Sequence, residues 1–206
     1  LSKEENLEIT TAMVKEIRDA TGAGILDCRE ALEATEGDLE AAVSQLRKKG
    51  LAEAAERADR EASEGLIEVY SHIGSRIGVM LEINCETDFV ARTTEFQTLA
   101  HDLTLHIAFA APLYTSRDEV PDAAIEAEKA VYRAQALEEG KPEHIIDRIV
   151  EGKLEKYFKT VCLMEQPFVK DEDRPVEEIL KDQIARLGEN IVVRRFVRYE
   201  LGESVG

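Results

Sequence analysis

The spacing of apolar residues changes once along this chain, and that change decides its fold class. Up to about residue 64 the hydrophobic side chains recur at helical intervals; beyond Gly65 they fall into short β-rich runs. In the first part, Thr10 or Thr11 is placed to cap a helix along which Met13, Ile17 and Ala20 recur, and Thr21-Gly22-Ala23-Gly24 breaks it. A second helix is expected from about Leu26 to Glu36, with Cys28, Ala31 and Leu32 inward. Gly37 ends it, and Asp38 caps a third helix whose stripe is Leu39, Ala42, Val43 and Leu46. Three short helices make a bundle with a small core, which suits a docking device and leaves no room for a buried catalytic cleft.

Between Leu51 and Glu64 only alanine interrupts the charged residues, so a solvated helical linker is expected there. Leu66–Tyr70 and Ile77–Cys85 then flank Ile73-Gly74-Ser75-Arg76 as a hairpin. Thr93 or Thr94 caps a helix carrying Phe96, Leu99, Leu103 and Ile107. Further helices are expected over Asp122–Glu139 and Pro142–Val150, with a short amphipathic stretch around Leu154–Phe158. A third strand is expected near Val161–Met164, a helix near Val176–Leu187 and a last strand over Asn190–Tyr199. The fold class is therefore α+β, with helices packed on one face of an antiparallel sheet. Residues 1–50 form the bundle, 51–64 the linker and 65–206 the α+β core.

Charge narrows the function. A net charge of −17 over 206 residues argues against direct nucleic-acid binding, which draws on Lys and Arg at phosphates, and against docking on an anionic membrane. The apolar runs are too short to span a bilayer, and Leu1-Ser2-Lys3-Glu4-Glu5 lacks the layout of a secretory signal. Cys28, Cys85 and Cys162 are widely spaced without a Cys-x-x-Cys pair, so neither a disulfide framework nor a zinc site is expected, and a reducing cytoplasm is.

No phosphate-binding loop of the Gly-x-x-x-x-Gly-Lys type occurs, and Gly22-Ala23-Gly24 follows a helix rather than a strand, so no nucleotide cofactor is expected on the chain itself. His101 and His106 project about 140° apart on a helix, wrong for shared metal ligation, and both read as surface or rim residues. No serine or cysteine has a base nearby in sequence, so catalytic residues are expected to be absent. Arg194, Arg195 and Arg198 on the last strand read as edge protection or as partners for the abundant acids. Glu86-Thr87-Asp88-Phe89-Val90 echoes Glu165-Gln166-Pro167-Phe168-Val169, as a degenerate repeat or by chance.

The informative segment runs Glu82-Ile83-Asn84-Cys85-Glu86-Thr87-Asp88-Phe89-Val90-Ala91-Arg92. An apolar strand ends in a polar turn with Phe89 directly after Asp88. By pattern alone Thr87 or Asp88 is a helix cap and Phe89 a core residue; a functional reading needs more.

That segment resembles the second signature of the elongation factor Ts family. Ile17-Arg18-Asp19-Ala20-Thr21-Gly22-Ala23-Gly24-Ile25-Leu26-Asp27-Cys28-Arg29-Glu30-Ala31-Leu32 resembles the first, with Ile17 where leucine is usual and Arg29 where lysine is usual. Glu165–Asp171 and Gly188–Arg195 resemble two further blocks in the same order. The resemblance implies a ubiquitin-associated-type bundle joined to an antiparallel-sheet core. It implies guanine-nucleotide exchange on the GTPase elongation factor Tu, with no bond made or broken. Arg18, Ile25 and Leu26 would dock on the GTP-binding domain. Thr87, Asp88, Phe89 and Val90 would be the wedge, Phe89 entering between GTPase helices near the magnesium and phosphate site. The short chain resembles the compact form of the family, for which a homodimer is expected. The alternating apolar face of Ile191, Val193, Val197 and Tyr199 is expected to make that contact. The rival readings are a helical-bundle adaptor and a small hydrolase, the latter without a nucleophile or metal constellation.

Overall fold

A computed structural model describes residues 9–203, so the opening Leu1–Glu5 lies outside the described residues. The described residues form eight α-helices and five strands in an α+β fold with a small antiparallel sheet. They divide into two compact units: one holds the chain up to Gly65 with Asn84–Phe96 and Glu178–Val192, the other Leu66–Ile83, Gln97–Glu177 and the chain from Val193 on.

In the first unit, α1 (Thr11–Thr21) starts at Thr10, whose hydroxyl accepts from the Met13 N–H. The second helix, α2 (Ile25–Ala34), turns Cys28, Ala31 and Leu32 inward, and Asp38 caps α3 (Leu39–Arg57) by accepting from Ala41 N–H at 2.9 Å. Ile17, Cys28, Ala31, Leu32, Ala42 and Leu46 form one buried cluster. The helix α3 runs through Gly50 to Arg57, so the boundary expected at residue 50 falls inside it. Alanine-rich, charge-paired sequence has high helix propensity, and Glu53 and Arg57 stand one turn apart, 3.3 Å between charged atoms.

A sheet of order β1-β2-β5 gives the second unit most of its strand residues: β1 (Glu64–Ser71), β2 (Ile77–Cys85) and β5 (Ile191–Glu200). The long helix α5 (Thr94–Ala110) covers one face, where His101 meets Glu68 and Tyr70, and Arg198 Nε donates to the Ala108 carbonyl. Two helices, α6 (Asp122–Glu138) and α7 (Glu143–Val161), make a hairpin around Ala136, Ile146 and Val150. At its base Arg117 lies over the Phe158 ring, 4.5 Å from the centroid, and pairs with Glu155 and Glu165.

Three expectations are corrected here. The separate stretch around Leu154–Phe158 belongs to α7, because Ile146, Val150, Leu154 and Phe158 continue one stripe at intervals of four. No strand forms over Val161–Met164: Val161 ends the helix, Leu163–Glu165 is a 3₁₀ turn, and Cys162 makes only an isolated bridge to Tyr114. The β-pairing there falls later, between β3 (Pro167–Phe168) and β4 (Asp171–Pro175), ahead of α8 (Val176–Leu187). Finally, His106 is buried rather than at the rim. The angle that separates it from His101 on α5 turns one outward and the other inward.

His106 has one usable tautomer. Val169 N–H donates to Nδ1 at 3.2 Å, so the proton sits on Nε2 and is donated to Gln166 Oε1 at 3.0 Å. Gln166 in turn donates to the carbonyls of Thr160 and Ala110. Burial holds the imidazole pKa below its usual value, so between the folded value and about 6.5 the unfolded chain binds the extra proton. The stabilisation is whole above about pH 6.5 and is lost as pH falls toward the folded value. In urea titrations, the stability difference between wild type and His106→Gln should therefore shrink from pH 7.5 to pH 5.5. A difference independent of pH would refute the neutral, buried assignment.

Candidate functional site

The candidate site is the turn that follows β2. Thr87, in extended conformation, caps the one-turn helix α4 (Asp88–Ala91), its hydroxyl accepting from Val90 N–H at 3.4 Å. Thr93 closes the turn, donating to the Val90 carbonyl at 2.8 Å and accepting from Phe96 N–H as α5 begins. Ala91 is buried, and Phe89, about 200° away around the helix, points outward with 78% of its surface exposed. Asp88 is held by Arg92 at 2.6 Å on the surface. Of the two readings left open by the pattern, Thr87 is indeed a cap, whereas Phe89 is not in the core. Phe168, its counterpart in the sequence echo, is buried in a strand, so the two segments share no local structure.

What pins this turn was not singled out as a site in the sequence. One carboxylate, that of Glu189, accepts three hydrogen bonds: Oε2 from Glu86 N–H at 3.1 Å and Thr87 N–H at 3.0 Å, Oε1 from the Thr87 hydroxyl at 2.6 Å. Glu86 returns the contact, accepting from Asn190 N–H at 2.6 Å, and the buried Asn190 amide donates to the carbonyls of Ala58 and Arg60. Gly188–Asn190 was legible only as a sequence block; nothing local marks Glu189 as the partner of a turn 102 positions away. Burial pushes the nearby Cys85 thiol up to about 11, so it remains protonated and donates to the Thr87 carbonyl.

The second group of candidate residues lies on the bundle. At the end of α1, Gly22 adopts φ 73° and its N–H returns to the Arg18 carbonyl at 2.7 Å. Thr21 donates to the Ile17 carbonyl and accepts from Ala23 N–H, tightening the turn. The left-handed backbone favours glycine there, and a Cβ would stand 2.3 Å from Nε of the Arg186 side chain of α8, which would have to move aside. The turn delivers Ile25 and Leu26, 60% and 75% exposed, on the first turn of α2, with Arg18 also exposed. Two neighbouring large aliphatic side chains are thus left in water, on a bundle that buries Ile17, Cys28, Ala31, Leu32, Ala42 and Leu46.

Among the described residues no group of three His, Cys, Asp or Glu side chains could hold a metal ion, and no helix is long and apolar enough to cross a membrane. The three cysteines are free and buried. Arg195 pairs with Glu82 on the neighbouring strand at 2.7 Å, and Arg198 with Glu200 and Glu203, the internal pairing expected of that cluster.

Comparison with known proteins gives one consistent result. The family model described as elongation factor TS matches residues 6–203. The chain is 55% identical over 96% of its length to elongation factor Ts of Syntrophomonas wolfei, covering 92% of that protein. Elongation factor Ts of Carboxydothermus hydrogenoformans is 56% identical, with 96% of this chain and 91% of the relative covered. For that of Moorella thermoacetica the identity is 53%, over 96% and 97%.

Proposed function

The chain belongs to the elongation factor Ts family, and from that premise we propose that it binds elongation factor Tu·GDP and promotes release of GDP and its exchange for GTP. The observation that carries the reading is Phe89, presented to solvent on a turn held by part-buried hydrogen bonds. An aromatic exposed by a rigid support is prepared to enter a pocket of a partner at little entropic cost.

Arg18, Ile25 and Leu26 would dock on the GTP-binding domain, and Thr87–Val90 would reach its magnesium and phosphate site. GDP is held in such a GTPase by backbone amides and by magnesium bridging to oxygens. A protein that binds the nucleotide-free conformer better must weaken nucleotide binding by the same factor. Release is thereby accelerated without bond-making chemistry, so the chain acts as an exchange factor in the cytoplasm rather than as an enzyme. Docking would rest with residues 1–50, connected through 51–64 to a core of 65–206 that carries the wedge. Titration into elongation factor Tu loaded with fluorescent GDP tests the reading: accelerated release is expected, and binding without acceleration would point to an adaptor.

A homodimer forms part of the proposal, with its surface revised. Ile191 and Val193 are buried, while Val197 and Tyr199 are exposed. Two consecutive exposed residues, Arg194 and Arg195, interrupt the alternation along β5 and split the face read from the sequence. The face opposite α5 leaves Ile67, Val69, Met80, Val197 and Tyr199 exposed around the Glu82–Arg195 pair. Bearing apolar groups and both signs of charge, it is self-complementary, as a twofold contact requires. Light scattering should give twice the chain mass at micromolar concentration and the single-chain mass for Val197→Lys; a monomer mass for wild type throughout a dilution series would reject the dimer.

A further inference from the structure

We propose that Glu189 is a positioning residue for exchange: it sets the geometry of the Asp88–Phe89 turn and thereby the maximal rate of nucleotide release, leaving docking affinity to the bundle. The assignment rests on the exchange reading above.

A helix of one turn cannot hold itself together, because nucleation fixes several residues for a single hydrogen bond. Here α4 spans only Asp88–Ala91, so its shape must come from outside. The outside support converges on one carboxylate. Glu189 takes up the N–H groups of Glu86 and Thr87, which lead into α4. It also fixes the one hydroxyl proton of Thr87. With that proton directed to Glu189 Oε1 at 2.6 Å, the Thr87 oxygen turns its lone pairs to Val90 N–H and completes the cap. Glu189 thus controls the cap through Thr87, one residue before Asp88 and two before Phe89.

Glu189 is itself fixed. Gly188, with φ 76°, reverses the chain at the end of α8, and its N–H returns to the Ile184 carbonyl at 2.9 Å. On the other side, Asn190 is tied through its backbone to Glu86 and through its side chain to Ala58 and Arg60. The two glutamates therefore hold each other's backbone reciprocally, Glu189 that of residues 86 and 87, Glu86 that of residue 190. Neither glutamate hydrogen-bonds Arg18, Ile25 or Leu26. Loss of Glu189 should accordingly loosen the wedge and spare the docking surface.

The test measures GDP release from elongation factor Tu as a function of factor concentration, separating the maximal rate from the half-saturating concentration. Glu189→Ala should lower the maximal rate about tenfold, with the half-saturating concentration changed less than about twofold. Glu189→Gln keeps an amide oxygen for the two N–H groups but loses the carboxylate charge and the acceptor for the Thr87 hydroxyl. It should fall about threefold below wild type in maximal rate at unchanged half-saturation, and it carries the test if Glu189→Ala does not fold, a wild-type maximal rate then overturning the assignment. Thr87→Val removes the same bond from the other side, so adding it to Glu189→Gln should cost less than the product of the two separate effects. A wild-type maximal rate for Glu189→Ala, in a preparation where Phe89→Ala is impaired, would overturn the assignment and leave the exchange reading standing. An effect confined to the half-saturating concentration would overturn it as well. If wild type itself fails to accelerate release, the exchange reading falls and the Glu189 assignment falls with it.

Discussion

Replacing Phe89 with alanine should lower the maximal rate of GDP release from elongation factor Tu by about thirtyfold or more, with the thermal unfolding midpoint of the free protein unchanged. The size follows from the proposed role. An aromatic anchor filling a desolvated pocket is worth roughly 2 kcal/mol or more, and about 1.4 kcal/mol corresponds to a factor of ten. The absence of a stability effect follows from the structure. With 78% of its surface already in water, Phe89 has little burial to lose on folding, whereas truncating a core phenylalanine costs about 3–5 kcal/mol. Stopped-flow release and thermal unfolding of the same preparations decide the matter. Release at wild-type speed excludes Phe89 as the wedge; a large drop in the midpoint would mean that the side chain is buried in solution.

The second large effect belongs to affinity. Changing Ile25 and Leu26 together to alanine should raise the half-saturating concentration of the factor by about tenfold to a hundredfold, while the rate at saturation stays near wild type. Together they lose six apolar carbons, worth about 0.8 kcal/mol per methylene equivalent at full burial; with both side chains already partly covered in the free chain, roughly a third to a half of that sum is expected to be lost. Both residues are more than half exposed in the free chain, so its unfolding should change little. Unchanged half-saturation would remove the bundle from the docking surface. A lower maximal rate at unchanged half-saturation would instead put these residues in the exchange step, against the division of labour proposed. That division does not follow the compact units, since the turn at Asn84–Phe96 belongs to the same unit as the bundle.

Much of the architecture could be read from the sequence because its causes are local. Thr10 and Asp38 cap helices by accepting from N–H donors three residues on, and Gly22 and Gly37 end helices through their own left-handed backbone. Ile77–Cys85 alternates along its own length, and its bounds were read without error. Where two local signals conflicted, the reading failed. The β-branched residues after Phe158 suggested a strand, while the stripe from Ile146 continued the helix, and the packing of that stripe against α6 prevailed.

By itself, then, the sequence determined the fold class, most helix ends, the hairpin and the positions of both candidate groups, since each depends on neighbours within a few residues. Tertiary structure alone decided which side meets water where the local pattern allowed two answers. It buried His106 and left His101 exposed, split the face of β5, and turned Phe89 outward where pattern allowed a core residue. It also brought Glu189 onto the backbone of residues 86 and 87. A periodic stripe states only that one face of an element is apolar, and a lone carboxylate states nothing about its partner. Both are settled when a distant segment arrives to cover the face or to donate the hydrogen bonds, and that arrival leaves no local mark in the residues on either side.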